Sequence, residues 1–169
     1  MGIPHKLKNM NLFLDGTSHL GVVSETTLPK LTAKMEEWRG GGMLGPVMID
    51  QGLDKLEAEF TLGGLADSAI RQFGAVQHDA VLLRFAGAYQ EDGTGQVRAL
   101  EATVRGRYSE IDLGNGKPGS DTEHKGKLAC SYYRLDVDGQ NWLEIDLLAA
   151  TFIVFGQDRY AEIRAAIGG

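Results

Sequence analysis

The sequence predicts a mainly β fold with two short helices, and three observations carry that prediction. Several separate stretches alternate apolar and polar residues with period two, the signature of strands with one dry and one wet face. Asp15-Gly16, Asp92-Gly93 and Asp138-Gly139 punctuate them as turns. Only two stretches, Asp67 to Phe73 and Asp158 to Ile167, space their apolar residues as helices do.

Taken in order, Asn11 to Leu14 and His19 to Val23 form a small hairpin around Asp15-Gly16. A long hairpin is then expected from Leu28 to Gly64. Leu31, Ala33 and Met35 alternate with Thr32, Lys34 and Glu36, and Leu56, Ala58, Phe60 and Leu62 alternate with Glu57, Glu59 and Thr61, so the two segments are read as paired strands. The connection between them is long, glycine-rich and apolar, running Gly40-Gly41-Gly42-Met43-Leu44-Gly45-Pro46-Val47-Met48-Ile49. A solvated turn has no use for that composition, so residues 39–53 are read as an arm built to touch another molecule.

Past Gly63-Gly64, Ala69, Ile70 and Phe73 share a helical face, with Asp67 or Ser68 as cap and Gly74 as stop. Ala80 to Tyr89 is a mostly buried strand. Val97 to Tyr108 follows, with Leu100, Ala102, Val104 and Tyr108 on one face and Glu101, Thr103, Arg105 and Arg107 on the other. Asp112 to Thr122 is a loop by its Gly, Pro and Asp content. In Lys125 to Val137 the apolar face passes from Leu128, Cys130 and Tyr132 to Tyr133, Leu135 and Val137, which predicts a bulge or a strand leaving one sheet for another. Strands at Trp142 to Ile145 and Phe152 to Phe155 precede the final helix, whose face carries Tyr160, Ile163 and Ile167.

At 169 residues, with 43% hydrophobic and 24% charged residues, one domain spanning 1–169 with a real core is expected. Asp and Glu outnumber Lys and Arg by 23 to 17 without a basic cluster, so the electrostatic footprint of a nucleic-acid-gripping protein is missing. The lone Cys130 excludes an intrachain disulfide, and no secretory leader pattern opens the chain, so folding in the cytoplasm is expected. The longest apolar run, Leu147 to Phe155, is strand-sized, and no stable membrane insertion is expected. The Met1-Gly2 start fails as a lipidation signal because Lys6 stands where that pattern wants Ser or Thr.

Chemical motifs are weak. Gly114-Asn115-Gly116-Lys117-Pro118-Gly119 has dinucleotide-like spacing without the strand-to-helix setting that makes it work. Asp136 and Asp138 start a calcium-loop pattern that nothing completes. His5, His19, His78 and His124 lack metal-ligand spacing, and Cys130 sits on an apolar strand face. No enzyme activity, cofactor or metal is expected.

Lys8-Asn9-Met10-Asn11-Leu12-Phe13-Leu14-Asp15-Gly16, Leu28-Pro29-Lys30-Leu31, Trp38 with Arg39 to Met43, Asp50-Gln51-Gly52-Leu53, Arg105-Gly106-Arg107, Glu110-Ile111-Asp112, Tyr132-Tyr133-Arg134-Leu135 and Glu144-Ile145-Asp146 occur in an order that resembles the major tail tube protein of contractile phage tails and R-type pyocins. The likeness runs over nearly the whole chain; the segments 75–80 and 112–122 are of a kind that varies. It implies a β-sandwich or barrel subunit that adds strands to a continuous inner β-barrel of a hexameric ring. Rings then stack into a rigid tube within a contractile sheath, as a conduit for DNA in a phage or a membrane-piercing tube in a bacteriocin.

The partners implied are other copies of the chain, the sheath, the tape-measure protein, and baseplate and terminator proteins, with DNA passing through without specific binding. The particle would be assembled in the bacterial cytoplasm as part of a virion tail. Under this reading Arg39, Met43, Leu44, Val47, Met48, Ile49 and Leu53 make the ring-to-ring contact. Lys34, Glu57 and Glu59 face an acidic lumen. Ile70, Phe73, Tyr160 and Ile163 lie on helices that cover the outside of the barrel, with Glu162 and Arg164 toward the sheath. Two other readings compete: the tube of a type VI secretion system, which shares the general fold, and a monomeric β-sandwich that binds carbohydrate. The second wants aromatics on exposed loops, whereas most here fall within strands.

Overall fold

The unbroken alternation after Gln96 becomes one half of a long antiparallel ribbon, β8 (Val97–Asp112) paired with β9 (His124–Val137). The computed structural model describes residues 2–169. Met1, first residue of the expected domain and of the rejected lipidation pattern, lies outside them. Before the ribbon come β1 (Lys6–Leu14), β2 (Thr17–Ser18), β3 (Val23–Thr27), β4 (Ala33–Trp38), β5 (Val47–Leu53), β6 (Leu56–Leu62), a 3-10 turn at Asp67–Ala69 and β7 (Val81–Gln90). After it come β10 (Gln140–Asp146), β11 (Thr151–Val154), β12 (Gln157–Asp158) and one helix, α1 (Ala161–Ala166). All pairings are antiparallel, so the protein is mainly β.

The ribbon has two halves because its flanking strands change midway. Residues 97–106 of β8 pair outward with β7, which pairs with β1. On the other side, residues 132–137 of β9 pair with β10, while residues 124–130 pair with β6, which pairs with β3. The register shifts between Arg105 and Gly106, opposite Tyr132 and Cys130, so Ser131 is the extra residue of a bulge. The expected change of face occurs here, one residue earlier than read: Leu128 and Cys130 are buried before it and Tyr133 and Val137 after it, while Tyr132, expected with the first set, is only half-buried.

Two glycines permit the close approach. A Cβ at Gly106 would lie 2.4 Å from the Ala129 carbonyl oxygen, and one at Gly126 would lie 2.3 Å from the Phe60 ring, which covers that backbone. The two halves share a core of Leu12 and Leu14, Leu56, Ala58, Phe60 and Leu62, Val81, Leu83 and Phe85, Val104, Leu128 and Ile145. Each large apolar side chain wholly removed from water there stabilises the fold by ~1.5–3 kcal/mol.

Several expectations change, beginning with the N-terminal hairpin, which closes on β2 (Thr17–Ser18) and not on His19 to Val23, since Val23 opens β3 and pairs with β6. The long hairpin from Leu28 to Gly64 does not pair as read. β6 lies in the main sheet between β3 and β9, and the strand containing Ala33 and Met35 pairs with β5, inside the stretch read as connection. Turning at residues 39–46 closes a shorter loop than reaching to residue 56, and it leaves the full alternation of β6 to the core. Lys34 therefore sits on a different sheet from Glu57 and Glu59, not on their partner strand.

The helix expected from Asp67 to Phe73 is only the 3-10 turn, without a side-chain cap. The Ser68 hydroxyl is engaged by His19 Nε2 at 2.7 Å, and so short a segment cannot repay helix nucleation. The final helix is also shorter than expected, since Asp158 belongs to β12, opposite Ile153. The first segment still touches the core, where Ala69 is buried and Ala66 packs beside it, whereas no residue of α1 is buried; most of the core comes from the two halves of the sheet.

Candidate functional site

The edges of the main sheet are treated unequally. Its path ends in the two-residue strands β12 and β2, too short to recruit another strand. The far edge of β3 and the edge of β8 from Arg107 to Asp112, by contrast, have no partner strand among the described residues. These two edges bound one continuous four-strand unit, β3-β6-β9-β8. The edge of β1 is open before Leu12, where Lys6 and Lys8 stand.

The face of this unit turned away from the core is a charged wall. Glu59 lies between Thr27 and Lys127, with Glu110 next across the sheet; Thr61 lies between Glu25 and Lys125, with Asp112 beyond; and Glu57, Ala129 and Arg107 form a third row. Lys127 Nζ is 3.4 Å from Glu57 and 3.7 Å from Glu59, and Lys55 reaches Glu57 at 3.4 Å from the rim. The hydrogen bond to Glu57, its charge, and those of Glu59 and Glu110 hold the Lys127 ammonium above its ordinary pKa against slight desolvation. Arg107 donates to the Val76 carbonyl at 2.8 Å, and Lys125 is 3.9 Å from Glu123. The wall is thus mixed in sign with a small acidic excess, and each of its cations has a partner.

Glu57 and Glu59 do stand on this polar face, as alternation required. Sequence reasoning missed Glu25, Glu110 and, above all, Lys127. Lys125 and Lys127 alternating with Gly126 and Leu128 was the available signal, overlooked because Lys34 was assigned as the counter-charge.

The arm of β4 and β5 forms its own two-stranded sheet. Every residue of β4 is exposed. Leu44 at the tip is 101% exposed, and Trp38, Val47, Met48 and Ile49 are exposed with it, while Leu53 at the base packs partly against the core. The tip is held by its own chain: the Gly40 N–H donates to Met43 Sδ, and the Met43 N–H to the Gly40 carbonyl. At the base the Asp54 N–H donates to the Thr32 carbonyl at 2.8 Å. A lone two-stranded ribbon is marginal in water, so this one is shaped for company.

Ile70, Phe73, Tyr160 and Ile163 are all exposed, although the Phe73 ring reaches within 6.4 Å of Tyr108. Arg164 ties α1 down, donating to the Ala150 carbonyl at 2.9 Å and to Asp158 at 2.6 Å. That guanidinium and the Tyr160 N–H hold the Asp158 carboxyl below its ordinary pKa. Burial pushes the Cys130 thiol up to about 12, which leaves it inert as a nucleophile.

The comparisons agree with this geometry. The family model described as phage tail tube protein FII matches residues 4–168. The tail tube protein of Escherichia phage P2 is 48% identical over 171 aligned positions, covering 99% of this chain and 99% of that protein. The major tail tube protein of Serratia phage KSP20 is 41% identical over 171 positions, covering 99% and 98%. Among solved structures, a chain of the PVC extracellular contractile injection system, sheath-tube complex in the extended state, superposes with a TM-score of 0.58 at 8% identity, over 79% of this chain and 91% of that one. A chain of the anti-feeding prophage tube-terminating cap gives 0.59 at 8% identity, over 80% and 93%. At such identities those two matches speak for the fold alone.

Proposed function

The chain belongs to the phage tail tube protein FII family, and on that premise we propose how its geometry builds a tube. It is a structural protein of the contractile-tail tube and not an enzyme. Residues 1–169 act as a single tail tube domain, a β subunit whose unit β3-β6-β9-β8 becomes one segment of a continuous inner barrel in a hexameric ring. The observation that carries this reading is the pair of open edges at either end of that unit. Three antiparallel pairings separate β3 from β8, so the two run in opposite senses. Rotation about a ring axis keeps each strand's sense along that axis, so residues 107–112 of one copy meet the β3 of the next antiparallel. An even number of strands per copy closes the barrel without a parallel seam and leaves no edge exposed.

In such a ring the charged wall lines the bore. Phosphate affinity grows with each free Lys or Arg that can neutralise a backbone charge. Here Lys127 and Lys125 are already engaged by carboxylates, so DNA or a tape-measure protein slides past without sticking. The arm of residues 39–53 reaches the neighbouring ring and buries Met43, Leu44, Val47, Met48 and Ile49 there. The exposed Ile70, Phe73, Tyr160 and Ile163 meet neighbouring copies or the sheath, with Glu162 and Arg164 on the outer side. Baseplate and terminator proteins cap the two ends.

Negative-stain electron microscopy of the purified protein tests the reading: rings or hollow tubes are expected. Glu25→Pro, at an exposed position of the edge strand β3, should leave folded subunits, checked by circular dichroism, that do not close. Persistent monomers in the native protein, or normal tubes from Glu25→Pro, would overturn it.

A further inference from the structure

A subunit that assembles by strand addition faces a selection problem, because β1 also offers an open edge, from Lys6 to Met10. The backbone shows which groups point there. The Leu12 carbonyl accepts the His19 N–H at 2.8 Å, and His19 follows β2 on the side of β1 away from β7. Leu12 therefore directs its polar groups to the open side, and the two-residue period of the strand directs those of Met10 there too.

On that side both amides are already occupied. The Leu12 N–H donates to Asn11 Oδ1 at 2.8 Å, and the Met10 N–H donates to Asn9 Oδ1 at 2.9 Å. Asn11 is itself held, its Nδ2 donating to Ser18 Oγ at 3.0 Å. The register with β7 slips between Leu7 and Asn9, and Lys8 at that slip is fixed by Asp92 at 2.7 Å. Neither β3 nor residues 107–112 of β8 carry such caps: the hydroxyls of Ser24 and Ser109 donate to carbonyls of β6 and β9, and among the described residues no side chain accepts from a backbone N–H of either edge.

We propose that Asn9 and Asn11 close the β1 edge against strand addition by a second copy of this chain, confining pairing between copies to β3 and residues 107–112 of β8. The inference rests on the ring reading above and names what keeps ring closure specific. An incoming strand along Lys6–Met10 must displace the Met10 cap, and to extend the pairing to Leu12 it must displace that cap as well, at a net factor of about five for each bond and so about 25-fold for both. The bulge and the two lysines add to that barrier, as natural sheets commonly guard edges they do not use.

Amide hydrogen exchange on the native, unassembled protein is the direct test. The Met10 and Leu12 amides should exchange about fivefold or more slowly than the unpaired amides of β3. Exchange as fast as in β3 would overturn the proposal whether or not tubes form. In assembly, Asn9→Ala with Asn11→Ala should give laterally joined or amorphous material, raising the off-tube fraction by about fivefold to 25-fold. Asn9→Asp with Asn11→Asp retains the acceptor oxygens and should assemble as the native protein does. Clean single tubes from the alanine pair, or equal misassembly from both pairs, would also overturn it. Failure of the native protein to form rings at all would instead strike the ring reading, and the exchange data would still decide the role of the two asparagines.

Discussion

Replacing Leu44 by Ala separates what the arm does for the subunit from what it does for the tube. The side chain is fully exposed, so its loss should leave the unfolding free energy of the dilute subunit within ~0.5 kcal/mol of native. If stacking buries it, the change deletes roughly three methylene-sized groups at ~0.8 kcal/mol each, about 2 kcal/mol per copy. Summed around a hexameric ring and discounted for incomplete burial, ring addition loses on the order of 10 kcal/mol, about seven orders of magnitude in the equilibrium constant. Thermal melting of dilute protein reads the first quantity, and sedimentation with electron microscopy across a concentration series reads the second. Unchanged melting with single rings or free subunits is expected. Native-length tubes at the native threshold concentration would refute the stacking role, and a clear loss of melting temperature in the dilute subunit would show that Leu44 serves the fold instead.

Gly126→Ala should cost about 1–3 kcal/mol in urea unfolding, because its Cβ would meet the buried Phe60 ring, which must shift to admit it. Cys130, buried and with its thiol pushed up to about 12, should resist maleimide at pH 8 until the chain unfolds; prompt labelling of folded protein would contradict that burial. The Asp158 carboxyl is held below its ordinary value of 3.8, so its contribution is fully present above that pH and is lost as pH falls through the lower folded value. Amide protection in α1, taken relative to the intrinsic exchange rate at each pH, should accordingly fall on acidification below about pH 4, and Asp158→Asn should remove that fall. Glu57→Gln with Glu59→Gln frees Lys127 and Lys55 and should add about one or two phosphate contacts, seen as a DNA-retention slope against log salt steeper by about 0.9 to 1.8; an unchanged slope would mean that neither lysine faces the nucleic acid.

Much of the fold was legible because β7, β8 and β9 advertise their burial through period-two alternation, and because the change of apolar face at Ser131 was visible as a slip in that period. The pairing of β6 was not legible. Alternation tells which face of a strand is dry and is silent about which strand lies beside it, so Leu56, Ala58, Phe60 and Leu62 fitted the neighbouring strand in sequence as well as they fit β9. Lys127 was missed for the same reason: once β6 is assigned the wrong neighbour, its carboxylates acquire the wrong counter-charge. Of the two expected helices the last is present as the shorter α1, and the first failed on length. Ala69, Ile70 and Phe73 have helical spacing, but a segment of one or two turns reads as helix or as 3-10 turn on the same three residues.

The distribution of apolar surface explains why such a chain must be understood in company. Leu12, Leu83, Val104 and Leu128 are wholly buried, so the core is complete without a partner. Outside it, Trp38, Leu44, Met48, Leu65, Phe73, Val76, Leu148 and Ile163 are exposed, and they gather on the arm, the segment after β6, and the end near β11 and α1. Scattered exposed leucines are ordinary, but apolar side chains left as bare as Leu44, Trp38 and Met48 together on a protruding two-stranded arm are not. A closed core beside open edges and a bare arm divides the energetics cleanly: folding is decided within one copy, and assembly draws on surface that folding leaves unused. Substitutions in the core should therefore move subunit melting and tube formation together, whereas substitutions on the arm and edges should move tube formation alone.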